Sequence, residues 1–293
     1  MKPRRIKYAS QDYLYSSLPT NRKEAFKDVY RHNFRTILSS GGVLLLFALP
    51  LIIFALTMEI GRLGMTLEFY SEEELYNVLF IWDIVVNVGS IILFFIFVVG
   101  FAGVIRVIRQ LIWQEGVSFW HGFKRGIKEN FPIMSLISGI IATIYLATYF
   151  IQLFFLQFVI GLTLIVLFVF VFVSIYLWSI MMATVYQTKL FAYIRNGFFF
   201  TSKTMGWTLL YVILMSLPFL SYYLNYLSIS GMLLFVIIKY LLIFIMMVFY
   251  YPMMLIVGLL YANSKFDMYI NQDSYSDYYR KGLYEPTKNR KHA

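Results

Sequence analysis

Between Glu129 and Lys189 the chain runs for 59 residues, Asn130 to Thr188, without a single Asp, Glu, Lys or Arg. A helix needs roughly 20 consecutive apolar residues to cross the hydrocarbon core of a bilayer. The run therefore has room for two crossings and a tight turn, and a soluble domain of this size has nowhere to put it. Composition agrees, at 60% hydrophobic and 14% charged, where soluble domains stand near one half and one quarter. The expected fold class is all-α: a polytopic integral membrane protein.

Six spans are predicted, at about 36–58, 79–105, 132–153, 158–186, 206–226 and 232–261. Pro50 lies inside the first, where loss of a helical hydrogen bond predicts a kink. Pro218 falls in the fifth, and Lys239 and Pro252 in the sixth. Around them the chain divides into a basic head (1–35), a six-helix membrane domain (36–262) and a polar, Tyr-rich tail (263–293). The apolar runs begin too late for a cleaved signal peptide, so the first reads as a retained anchor.

The head, the 106–131 loop, the 189–203 loop and the tail carry 9, 5, 3 and 6 Lys or Arg residues, while the opposite loops carry Arg62 alone. Lys and Arg mark the cytoplasmic side of short loops, and an even number of spans puts both termini there. A net charge of +10 distributed in this way anchors and orients helices, and it argues against a nucleic-acid groove. Cysteine is absent, which excludes disulfides, thiolate nucleophiles and zinc–thiolate sites.

The segments before spans one, three and five resemble one another. Phe26-Lys27 and Asn33-Phe34 recur at identical spacing as Phe123-Lys124 and Asn130-Phe131, and Gly197-Phe198 and Lys203 echo Gly122-Phe123 and Lys128. This predicts a three-fold repeat of an amphipathic interfacial helix followed by a two-span hairpin. In the first unit Asn21 can cap the helix, with Glu24 three residues on. In the second, Phe119, Trp120, Phe123, Ile127 and Phe131 line one face, while Lys124, Arg125 and Lys128 fall mostly elsewhere. Such a helix lies in the headgroup plane and attracts anionic lipid. Trp120, Phe123, Lys124, Arg125 and Lys128 are accordingly the candidate partner or lipid interface. The tail tyrosines, 269 to 284, suit a segment lying near headgroups.

Ionisable groups inside a membrane point to function by default. Asp83 and Asn87 share a face of span two, and Lys239 lies one to two turns inside span six. Three readings stand side by side: Lys239 snorkels to the interface while Asp83 starts its helix, the two form a structural ion pair, or they mark a solute or proton site. His32, His121 and His292 lack the companions of a metal site. The Met pairs at 181–182, 246–247 and 253–254 fit apolar packing better than soft-metal binding. Gly41, Gly42, Gly100 and Gly103 allow close helix contact. No phosphate-binding loop, dinucleotide fingerprint or nucleophile elbow is present, so the expectation is a non-enzyme without metal or cofactor.

Leu49-Pro50 in an apolar span, the basic helix end Arg106 to Arg109, and the Phe-rich basic stretch Phe119 to Phe131 together resemble the YesL-like family of bacterial membrane proteins, best over about 95–140. The chain departs from that pattern in its acidic 59–77 segment and its long fourth and sixth spans. The resemblance implies about six helices, a bacterial plasma membrane and association with carbohydrate transporters, and it supplies no catalytic residues. The leading expectation is therefore an accessory or scaffold subunit of a transport system, with anionic lipids and transporter subunits as partners and self-association open. The alternatives are a small solute transporter or channel in its own right and a lipid-binding, membrane-organising protein.

Overall fold

The computed structural model describes residues 19–67, 72–116, 118–155, 163, 167–224 and 233–284, and the described residues are helical throughout apart from turns. The helices are α1 (Arg22–His32), α2 (Phe34–Leu67), α3 (Glu72–Ile112), α4 (Phe119–Phe155), α5 (Val173–Val185), α6 (Leu190–Lys203), α7 (Met205–Leu224) and α8 (Leu233–Phe266). A π-helical turn, Phe168–Phe172, leads into α5, and another, Asp267–Asn271, continues α8.

Among the described residues four helices are long and apolar enough to cross a bilayer: those containing predicted spans one, two, three and six. The fifth predicted span, in α7, reaches that standard only together with α6, from which it is bent by 104°. The fourth falls largely on residues outside the described set, and its described part is the shorter apolar helix Phe170–Val185. The long helices overrun their predicted ends because nothing breaks them. Pro50, Pro132 and Pro252 all lie inside continuous helices.

The apolar helices close into a ring. α3 packs between α4 and α2, α2 packs on α8, α8 on α7, α7 on α5, and α5 returns to α4. Two crossings in it depend on missing side chains. A Cβ on Gly41 would sit 1.9 Å from the Val248 carbonyl oxygen of α8. A Cβ on Gly126 would meet the Ala102 carbonyl oxygen at 2.8 Å and the Gly103 Cα at 2.9 Å. α3 and α4 thus touch backbone to backbone, and Gly122-x-x-x-Gly126 provides the small-residue stripe such contacts use.

The three amphipathic segments differ in their junctions. α1 follows its predicted cap: the Asn21 side chain accepts from the Glu24 backbone N–H at 2.9 Å, and the Glu24 carboxylate accepts from Thr20. Those hydrogen bonds hold the Glu24 carboxyl below its ordinary value. α1 then breaks at Asn33, and α6 breaks at Thr204. The second segment does not break at all. Phe119–Phe131 is the first part of α4 and runs straight through Pro132, which corrects the expectation of a separate interfacial helix there.

Candidate functional site: charged centres at the two ends of the bundle

Along α8, Lys239 and Asp267 are 28 residues apart, about 42 Å at the helical rise, so they mark opposite ends of the bundle. Each end holds a charged centre.

At the Lys239 end, α2 carries Glu59 and Arg62, α3 carries Asp83 and Asn87, and α8 carries Lys239 and Tyr240. Lys239 is 3% exposed and donates to both oxygens of the Glu59 carboxylate, at 2.6 Å to Oε1. The Tyr240 hydroxyl donates to Glu59 Oε2 at 3.0 Å, and the Lys239 ammonium lies 4.8 Å from the Tyr240 ring centre. A second pair, Arg62 to Asp83 at 3.6 Å, ties α2 to α3 in a half-exposed position. Asn87 donates to the Asp83 carbonyl at 2.7 Å and accepts from the Tyr145 hydroxyl of α4. Four helices are stitched together here.

This geometry revises the sequence reading of Asp83, Asn87 and Lys239. Asp83 lies well inside α3 and does not start it. Among the described residues Lys239 pairs with Glu59 and Asp83 with Arg62, in place of an Asp83–Lys239 pair. Lys239 is neutralised inside the protein, and it does not snorkel out. The sequence reading places Glu59 in an acidic loop, whereas α2 continues to Leu67. The apolar Ile60, Leu63 and Met65 beyond Glu59 were the available signal.

At the other end the first and last described segments meet. Asp267 accepts from Arg22 at 2.7 Å, from Asn271 at 2.8 Å and from the Arg280 backbone N–H at 3.1 Å. The Tyr186 hydroxyl donates to Asn271 at 2.5 Å. Burial first, and Asp267 second, push the Tyr186 phenol well above its ordinary value. Lys281 pairs with Glu115 at 2.8 Å and lies 4.2 Å from the Trp113 ring centre. The Tyr284 backbone N–H donates to the Pro19 carbonyl at 2.8 Å. Gly282 makes the turn at φ +81°, where a Cβ would lie 2.4 Å from the Ile112 carbonyl oxygen. The described part of the tail folds back on the bundle end, while Tyr269, Tyr275 and Tyr279 stay exposed. Tyr278 packs at a tilt against Trp113, and Tyr275 against Tyr186.

Beside this knot lies the predicted interface on α4. Trp120 is 61% exposed, and Lys124, Arg125 and Lys128 point outward. Phe123 does not belong with them. It is 6% exposed and fills the space over Gly103, against Phe47; Phe119, Ile127 and Phe131 likewise pack on the core. The aromatic face predicted to meet lipid is therefore largely a helix-packing face. Glu129 takes Arg125 at 2.5 Å and also pairs with the buried Arg106, so the α4 cations are not equivalent. All three are exposed, and Arg125 is the one tied to Glu129.

His32 bonds to Asp28 at 2.9 Å, His121 is exposed, and His292 lies outside the described residues. Among the described residues no three His, Cys, Asp or Glu side chains gather as a metal site. Met181, Met182, Met247 and Met254 are buried in the apolar core. A small cavity of about 20 Å³ between α5, α7 and α8, lined by Trp178, Met181, Thr208, Tyr211 and Tyr261, has the size of one water molecule. No known protein family, characterised protein or solved structure was found to match the chain.

Proposed function

We propose that this chain is a non-enzymatic accessory subunit of a membrane transport system, crossing a bacterial plasma membrane six times with both termini in the cytoplasm. The observation that carries the reading is how the charges are used. Lys239, Asp83 and Arg106 each meet an opposite charge on a neighbouring helix, which fits groups that hold helices together. Trp120, Lys124 and Lys128 point away from the bundle, and an exposed Trp ringed by cations is the composition of an interface anchor. The basic segments beside the knot support the orientation by their Lys and Arg excess. The YesL-like resemblance adds a carbohydrate transporter as the partner class, and the F-K-x5-N-F echo supports descent from a repeated hairpin unit.

A second reading, a transporter in its own right, draws on Glu59, Lys239 and Tyr240, because a buried ion pair in a membrane segment is where proton or solute coupling resides in transporters. A photo-crosslinking residue at Trp120 in native membranes separates the readings. The accessory role yields one discrete protein adduct, lost on reversing Lys124 and Lys128 to Glu. Adducts to lipid alone would overturn it.

A further inference from the structure

The 14-residue helix α6 is too short to cross a bilayer, and it turns by 104° into α7. α7 runs antiparallel along α8: Tyr211 donates to the Met254 carbonyl at 2.9 Å, and Tyr250 to the Leu214 carbonyl at 2.7 Å. With α7 aligned to a long apolar helix, α6 lies crosswise to the bundle. Its contact with the aromatic pair Phe266 and Tyr269 fixes it at the end that holds Asp267.

One face of α6 is built for protein. Tyr193, Gly197 and Phe200 are buried, and a Cβ on Gly197 would lie 2.6 Å from Ser179 Oγ and 2.8 Å from the Ile175 carbonyl oxygen of α5. The other face is apolar and uncovered. Phe191 is 74% exposed and Phe198, two turns on, is 60% exposed, with Trp207 exposed just beyond the bend. Lys189 precedes the helix, Arg195 lies between the two phenylalanines, and Lys203 ends it, all exposed. A crosswise helix with aromatic rings on its outer face and cations interleaved matches the chemistry of the acyl–headgroup boundary, and Trp is enriched at that depth.

We propose that α6 is a membrane-surface helix, seating Phe191 and Phe198 in the boundary of the leaflet on the Asp267 side of the bundle and holding anionic phospholipid headgroups with Lys189, Arg195 and Lys203. The sequence expects this role of the segments before spans one, three and five; the third of them, α6, has the exposed face for it, whereas Phe119, Phe123, Ile127 and Phe131 pack on the core. The assignment uses only the crosswise geometry and the exposed side chains, so it stands apart from the accessory role and from the identity of any partner.

Because the chain has no cysteine, single labels are unambiguous. Phe191→Cys, Phe198→Cys and Ser202→Cys would each carry a nitroxide in the full chain, reconstituted in phosphatidylcholine with and without phosphatidylglycerol. The labels at 191 and 198 should favour oxygen over an aqueous nickel chelate, at a depth of about 5–10 Å, with 202 shallower. Spin-labelled phosphatidylglycerol should be enriched severalfold over phosphatidylcholine at the protein boundary, and the enrichment should fade with salt. A Lys189→Gln, Arg195→Gln, Lys203→Gln variant should lose most of it. Labels open to the aqueous chelate, or shielded from both probes by a second copy of the chain, would overturn the proposal. So would phosphatidylglycerol enrichment that is unchanged in the variant.

Discussion

Replacing Lys239 by Met removes the cation while keeping an unbranched side chain of similar length, and it leaves Glu59 facing a buried site. At 2.6 Å and an effective dielectric constant of about 20, the attraction is about 6 kcal/mol. Desolvating two ions costs several kcal/mol each, so the pair's net contribution is small. Breaking it is different. Removing one partner of a buried pair costs about 3–5 kcal/mol, because the other charge stays desolvated. At about 2–4 °C per kcal/mol for a chain approaching this size, Lys239→Met should unfold on the order of 10 °C earlier, followed by fluorescence-detected size exclusion after heating in mild detergent. Glu59→Gln should lose a comparable amount. The double variant, which removes both charges and keeps an acceptor for the Tyr240 hydroxyl, should recover most of the loss. Additive losses in the double variant, or an unaffected Lys239→Met, would refute the reasoning.

Other expectations concern packing and the terminal knot. Gly126→Leu should destabilise by about 1–3 kcal/mol through overpacking, because even a Cβ there strikes the α3 backbone. Gly42→Ala, where a Cβ meets nothing within 4 Å, is the control and should keep or slightly raise the melting temperature, because Ala favours the helix over Gly. Asp267→Ala removes the acceptor shared by Arg22, Asn271 and Arg280, and limited proteolysis should then cut within residues 276–284 while the bundle stays intact. The raised Tyr186 phenol gives the knot a pH limit. Its contribution is complete below the ordinary tyrosine value of about 10 and is lost as pH rises through the higher folded value. Tail protection should therefore weaken above about pH 10, and Tyr186→Phe should flatten that dependence.

Local signals in the sequence carried far. Uninterrupted apolar length located α2, α3, α4 and α8, and the Asn21–Glu24 spacing located the start of α1. What it missed was long-range. Glu59 and Lys239 are 180 residues apart, and charge pairing across such a distance leaves no periodicity to read. The place of Phe123 is not legible locally, because an aromatic residue on a basic helix satisfies lipid and a neighbouring helix equally well. The Gly122-x-x-x-Gly126 stripe on the same turn was the signal that α4 packs against protein. The contacts of the tail are long-range as well. Asp267 and Asn271 sit on the π-helical turn that extends α8, where they gather Arg22, Tyr186 and the Arg280 backbone into one cluster that no local pattern announces.

The most direct test of the central claim is isolation of the tagged chain from its native membranes in mild detergent, with the stoichiometry of every companion measured. The account predicts a transporter subunit present at a fixed ratio to the chain, and its loss when Lys124 and Lys128 are reversed to Glu. A chain that emerges alone and drives saturable solute uptake in proteoliposomes, abolished by Lys239→Met in protein that remains folded, would contradict it.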